Sequence, residues 1–316
     1  MKQLRRVTHP GQPIEPRILS CISPHGQDMF VRLREGEDLF NGTAAALSSI
    51  GVETSGIRIA GGGLKSFSYC TGVEDPSGYR VATFSEPKFP PPPITLIAGN
   101  IILGLDEDGQ LKTHCHAVFA DAAGKVHAGH LLPGECAVGE QGASLFVSSA
   151  GKAGLQVQFD PETNFPIFHP TDSQGDAKMS ETDSSSTVEN GRFGRVITAR
   201  IRPNTDFVTG IEELCAAHDI SHGEIRGCVG SLMDATLASG TTDEPRITEV
   251  AGPGLEIAVS CGVVRLGDND FPRAKLSGLV ANGAGEAYAG EFVRGRNLVF
   301  VTMEVVLQEW LPDSAS

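Results

Sequence analysis

Short apolar or alternating runs, cut at close intervals by Gly, Asp and Asn, dominate the chain. "ITLIAGNIIL" (94–103), "KTHCHAVFAD" (112–121) and "VFVTMEVVLQEW" (299–310) read as strands, with "LDEDGQL" and "DAAGKV" as hairpin turns. Apolar residues at helical spacing occur in "DLFNGTAAALSSIG" (38–51) and "DFVTGIEELCAAHD" (206–219), each just after a predicted strand (28–34 and 195–202). Apolar strands broken by glycine follow, at "AGGG" and "CVGS", where turns or close backbone approach are expected. The pattern predicts a mainly antiparallel sheet covered by one or two helices, an α+β fold built twice.

The two halves overlie one another. At a shift of 168, "VRLREGEDLF" (31–40) lies on "ARIRPNTDFV" (199–208), matching Arg32 with Arg200, Arg34 with Arg202 and Asp38 with Asp206. The same shift sets "IRIAGGGL" on "IRGCVGSL", pairing Arg58 with Arg226. Further along, the shift is 161, where "AGKVHAGHLLPG" (123–134) overlies "AGEAYAGEFVRG" (284–295). The proline-rich insertion "SEPKFPPPPI" (85–94) accounts for the difference. A tandem repeat follows. The Ser-, Thr-, Asp- and Glu-rich stretch 169–192 has too little apolar surface to offset its ordering entropy and reads as a flexible linker between domains 1–168 and 193–316.

Charge narrows the function. The formal net charge is −14, and both halves are acidic: 13 Lys and Arg against 17 Asp and Glu in 1–170, 11 against 17 in 192–316. Affinity for nucleic acid rests on cations that neutralise phosphates, so this balance counts against DNA. No apolar run is long enough for a membrane helix, and the basic start "MKQLRRVTHPGQPIEPR" lacks the apolar core of a secretory signal. Seven scattered cysteines do not form a disulfide framework, and a reducing cytoplasm is expected.

Four of the nine histidines crowd into "THCHAVFADAAGKVHAGHLLPGE" (113–135). Alternate residues of a strand face one side, so His114 and His116 project together while Cys115 faces the other way, as a core residue. An H-x-H pair alone also occurs without a metal. Here the hairpin brings a third imidazole alongside, and His127 and His130 are both open for that role, on opposite faces. Three neutral imidazoles suit Zn²⁺ or another divalent transition metal and leave a coordination position open. Cys136 is a weaker ligand candidate. The second copy supplies a control: His114, His116 and His130 fall on Lys275, Ser277 and Glu291, so the fold does not need the histidines.

These residues, with "GQL" and "GNIIL" before them, resemble the domain conserved in plants and prokaryotes (the PPC domain, a domain of unknown function). An H-x-H-A strand followed by a G-H-L segment carries the resemblance over most of residues 25–155 and, more weakly, 193–311. It implies an α+β sandwich-like domain that assembles as a homo-oligomer, commonly a trimer, with an architecture similar to acetolactate decarboxylase, a three-histidine zinc lyase. It also implies a metal on His114, His116 and His130. Plant members bind DNA beside AT-hooks, and bacterial relatives carry a DNA-binding label. This chain has no AT-hook; "RGRN" (294–297) lacks the following Pro and basic surroundings.

An open metal position would polarise a carbonyl or acidify a bound water, chemistry of a lyase, a hydrolase or a sensor for a small oxygenated metabolite. Glu135 is the candidate proton-transfer group, with a solvated turn carboxylate as its alternative. Arg58 could hold a substrate carboxylate, but Arg226 at the matching place points to a shared structural role. "AGGG" could admit a ligand to the backbone, yet it lacks dinucleotide or P-loop spacing. The competing reading is a DNA-associated regulator or oligomeric interaction module, served by the basic arm Lys2, Arg5, Arg6 and Arg17.

Overall fold

The computed structural model describes residues 4–172, 193–241, 243–267 and 269–311. In the first half, strands β1 (Ile18–Ser23) and β2 (Gln27–Leu33) precede helix α1 (Leu39–Ser48). They are followed by β3 (Ser55–Ser66), the short β4 (Tyr69–Cys70), β5 (Gly72–Val73) and β6 (Thr83–Phe84), then β7 (Ile94–Leu105), β8 (Leu111–Ala120), β9 (Val126–Leu131), β10 (Ala137–Ser149), β11 (Ala153–Asp160) and β12 (Phe165–Asp172). The second half has β13 (Phe193–Ile201), α2 (Phe207–Ala217), β14 (Gly223–Leu232), β15 (Ala235–Gly240), β16 (Pro245–Val250), β17 (Leu255–Leu266), β18 (Pro272–Ala281), β19 (Ala287–Phe292) and β20 (Val299–Trp310).

Strand order repeats. One sheet runs β2-β10-β3-β7-β8-β9-β4 and the other, in its matching part, β13-β20-β14-β17-β18-β19-β15. Each neighbouring pair along the path from β2 to β4 thus has its counterpart, and the tandem α+β repeat is real. Each copy carries one helix, capped alike: Asp38 Oδ1 accepts from Phe40 and Asn41 N–H, and Asp206 Oδ1 from Thr209 N–H. The same carboxylates tie down the chain entering the matching strands β10 and β20, through Cys136 N–H on Asp38 and Asn297 N–H on Asp206. One aspartate per copy therefore satisfies two sets of donors that would otherwise be orphaned.

Side-chain parity explains the layers. Cys115, Ala117 and Phe119 of β8 point into a core with Leu39, Phe40 and Leu47 of α1. Val118, on the other face, packs on Ala258 and Ala281 of the second copy. The sheets thus stack face to face with the helices outside. His114 and His116 share the parity of Val118, which puts them between the copies.

Two segments cross the division that the sequence suggested. β1 pairs antiparallel with β13, so the N-terminal segment completes the second copy's sheet. His169–Asp172, expected in the linker, extend β12 against Ala153–Gln156 of β11. A hairpin ladder supplies the partners that those polar residues could not find in an isolated linker. The rest of the linker, 173–192, lies outside the described residues.

Buried ions lock the halves together. Asp160, at the end of β11, accepts from Arg200 Nη1 at 2.7 Å and Arg202 Nη1 at 2.9 Å, with Asp160 and Arg200 fully buried. Burial pushes the Asp160 carboxyl up, but the Arg200 hydrogen bond and charge outweigh it, holding the group well below the usual carboxylate range.

Candidate metal centre

β8 and β9 build the centre. His116 stands directly opposite His130 in their antiparallel register, and His114 is two residues earlier on the same face. Ring centroids lie 4.9 Å (His114–His116), 5.1 Å (His114–His130) and 5.3 Å (His116–His130) apart. One nitrogen from each falls within 4.8 Å of the others. Gly129 makes this possible: a Cβ there would collide with the Cys70 carbonyl and the Tyr69 ring, so glycine lets β4 close on β9 beside His130.

The second copy holds two of the rings. His114 Nδ1 donates to Glu304 Oε2 at 2.8 Å, and His116 Nδ1 donates to the Ile257 carbonyl at 3.0 Å. A carbonyl only accepts, so the His116 proton sits on Nδ1 and the Nε2 lone pair is available to a ligand; the Glu304 oxygen, as acceptor, holds His114 the same way. His130 Nδ1 is buried and has no hydrogen-bond partner among the described residues. Burial pushes His116 and His130 well below the ordinary histidine value, and the neighbouring His114 adds to this. That shift favours the neutral ring, the state in which imidazole binds a metal. The donor set fits Zn²⁺ or a related divalent ion.

A cavity of ≈ 360 Å³ opens over the three rings. Its walls come from Ala82–Phe84 at β6, just before the proline-rich insertion, the β11–β12 hairpin (Val157, Phe165–Phe168) and the second copy (Ser231, Glu256, Phe300–Thr302, Glu304). Glu304 Oε1 also accepts from Phe168 N–H at 3.3 Å. Burial raises the Glu256 carboxyl to about 8 against the opposing backbone N–H groups of Gly72 and His130. Lys112, Thr113 and Arg80 also line it.

His127 faces the opposite side, with Nε2 bonded to Asp121 at 3.0 Å and its ring stacked on Phe119. That settles the choice between His127 and His130. Glu135 is exposed on the turn after β9 and does not line the cavity; Glu256 and Glu304 do. Cys115 and Cys136 are buried in the helix-side core, and burial lifts the Cys136 thiol to about 12, so neither faces the histidines. All seven cysteines are free. Arg58 bonds Glu224 Oε1 at 2.9 Å and Arg226 lies 3.4 Å from Oε2 of the same residue, a structural cross-link between copies. The glycines of "AGGG" admit strand β10, whose Gly142 carbonyl would collide with a Cβ at Gly62, where φ is +143°.

The counterpart place in the second copy carries an exposed ion pair, Lys275–Glu291 at 3.4 Å. Of the basic arm, Arg5 pairs with Asp234 and Arg17 with Glu162. In "RGRN", Arg294 is held by Glu212 at 2.8 Å and Arg296 meets Glu249 at 3.5 Å. No helix among the described residues is long and apolar enough to cross a membrane.

Sequence reasoning missed Glu256 and Glu304. A signal existed: Glu304 interrupts the apolar run "VFVTMEVVL", and a carboxylate in a strand buried on both faces must find a donor.

The chain is thus a tandem of two α+β lobes with a three-histidine cluster on the face between them. Residues 23–143 and again 188–311 match the Plants and Prokaryotes Conserved (PCC) domain, and the chain belongs to that family. No curated protein matches it. Among solved structures it is similar to a plant- and prokaryote-conserved protein from Pyrococcus horikoshii (20% identity, 40% of this chain and 87% of that one, TM-score 0.36). Another is a metal-containing protein from Archaeoglobus fulgidus (18% identity, 47% and 97%, TM-score 0.39). A third, from Ralstonia eutropha, is named as a presumed DNA-binding protein (19% identity, 44% and 88%, TM-score 0.36).

Proposed function

We propose that this protein holds a divalent transition metal, zinc foremost, on His114, His116 and His130, and presents it to a small oxygenated molecule in the cavity between its copies. The observation that carries this reading is the pair of Nδ1 bonds to Glu304 and the Ile257 carbonyl, which leaves two Nε2 lone pairs for a ligand in a cluster where one nitrogen of each ring lies within 4.8 Å of the others and His130 Nδ1 has no partner among the described residues. Most buried polar atoms are satisfied within the protein, so three rings that share unpartnered nitrogens at one place call for a ligand more than the lone unpartnered nitrogen of His9 does. A metal on three protein ligands supplies Lewis acidity at an open position. The chain's own residues then exclude water with Phe84, Phe168 and Phe300 and fix the histidine tautomers. Lyase, hydrolase and sensor roles all use this arrangement.

Metal analysis of untagged protein tests the reading. Close to one equivalent of transition metal per chain is expected, falling to background in His116→Ala. Metal at background in the wild type after zinc loading and desalting would overturn it.

A further inference from the structure

The cavity's walls and rim differ in chemistry from its floor, and they describe a ligand. Phe84, Phe165, Phe168 and Phe300 give it aromatic sides. The Phe84 ring, 4.7 Å from that of His130, is half exposed, an apolar surface that a ligand body would take out of water. Two cations share the lining, Arg80 and Lys112. Arg80 spends only Nε, on the Asn164 carbonyl at 2.7 Å, while its guanidinium lies 4.5 Å over the Phe165 ring. Its terminal nitrogens make no hydrogen bond or ion pair among the described residues. Lys112 is exposed, stands two residues before His114 on the same face of β8, and likewise has no partner among them.

The repeat shows that the unpaired lysine is a departure. In the second copy Arg273 occupies the place of Lys112, and Glu212 of α2 holds it at 3.2 Å. The position in α1 that matches Glu212 is Ala44. The first copy keeps the cation and lacks its carboxylate. Meanwhile Glu304, in the same lining, spends both oxygens on His114 and Phe168 N–H. Glu256 lines the cavity as well, but burial raises its carboxyl and favours the neutral form, so two cations with no carboxylate partner beside the engaged Glu304 suit an anionic ligand.

Building on the reading of this cavity as a metal-floored ligand site, we propose that its ligand is an amphipathic monocarboxylate, an aryl- or alkyl-substituted acid. Its apolar body lies against Phe84, Phe165, Phe168 and Phe300, and its anion is held by Lys112 and the Arg80 guanidinium, whose planar fork matches a carboxylate.

Calorimetry on the zinc-loaded full chain tests this with four probes: 3-phenylpropionate, 3-phenylpropanol, 3-phenylpropylamine and propionate. The acid should bind roughly tenfold or more tighter than the alcohol, the worth of one charge-assisted contact, and tighter than the amine and propionate as well. Lys112→Ala should lose most of the preference of acid over alcohol, and adding Arg80→Ala should abolish it, with metal content unchanged. Lys112 is exposed and unpartnered, so that single variant carries the test if the double variant misfolds. Equal binding of acid and alcohol, a preference for the amine, propionate binding as well as the aryl acid, or an acid preference that survives Lys112→Ala would each overturn the proposal. A chain that fails to hold zinc refutes the metal reading instead, and the probe comparison still decides this one, because neither cation is a metal donor.

Discussion

Replacing Glu304 by Gln isolates what the second copy does for the histidines. The carboxylate is nearly inaccessible (1% exposed) and accepts from His114 Nδ1 at 2.8 Å and from Phe168 N–H at 3.3 Å. A glutamine offers one carbonyl oxygen and one amide nitrogen. If the oxygen stays on His114, the amide faces the Phe168 N–H, donor against donor; if it turns, His114 loses its acceptor. Either way the charge that favours the Nδ1 tautomer is gone. Losing such an outer partner typically costs 10–100-fold in metal affinity, about 1.4–2.7 kcal/mol. Competition against a chromophoric chelator at pH 7.5 measures it. Glu309→Gln is the control, since Glu309 sits five residues along the same strand, pairs with Arg195 at 2.7 Å and touches none of the three histidines. It should lower the melting temperature and leave zinc affinity alone. Glu304→Gln binding zinc within about twofold of wild type, or Glu309→Gln weakening zinc as much, would refute the claim that Glu304 acts through His114.

Other expectations are as direct. His127→Ala should keep full metal content, because its ring lies on the far side of the sheet against Phe119 and Asp121; loss of metal would mean that the register of β8 and β9 is wrong. Asp160→Asn should destabilise the protein by about 3–5 kcal/mol in urea unfolding, because it strips fully buried Arg200 of its carboxylate; a cost under about 1 kcal/mol would show that the pair is replaceable. His169 is held neutral, at about 4, first by burial and then by the Arg200 charge. Its folded value lies below the unfolded value of about 6.5, so its contribution is complete above pH 6.5 and lost as the pH falls toward 4. His169→Gln should accordingly flatten the fall in urea stability between pH 6.5 and 4, and an unchanged slope would exclude this group. With Arg5 and Arg17 already paired and a net charge of −14, fluorescence anisotropy should detect no duplex DNA binding at 150 mM salt; salt-dependent binding that vanishes on deleting the arm would restore the regulator reading.

Much of this centre was legible because strand parity is strict. The positions of His114 and His116 around Cys115 required one face for the imidazoles and the other for the thiol, and the helix-side core holds Cys115. Parity alone could not choose between His127 and His130. That needed the register in which His116 faces His130, which the hairpin turn sets by its length. The repeat was legible through glycines and arginines at a constant shift, and the strand orders agree with it. What packs on the histidine face was not legible. Apolar periodicity says that a face is covered, and only the tertiary fold says by what. β1 leaving its own copy for β13, and Ile257 offering a carbonyl to His116, are of that kind, since any residue has a carbonyl to give.

Glu304 stands apart from those cases, because its place in the repeat can be read. Arg200 opposes Glu304 in β13 and β20 as Arg32 opposes Ser144 in β2 and β10, so the first copy has a serine where the second has the carboxylate. The histidines occur in one copy alone, and the acid that orients His114 in the other alone. In a single copy the donors would lack that acid. The second copy lacks the imidazoles but supplies the carboxylate, so the cluster takes its rings from one copy and the acid that holds His114 from the other. Burying an unpaired carboxylate costs too much to persist without a donor such as His114 Nδ1 to receive.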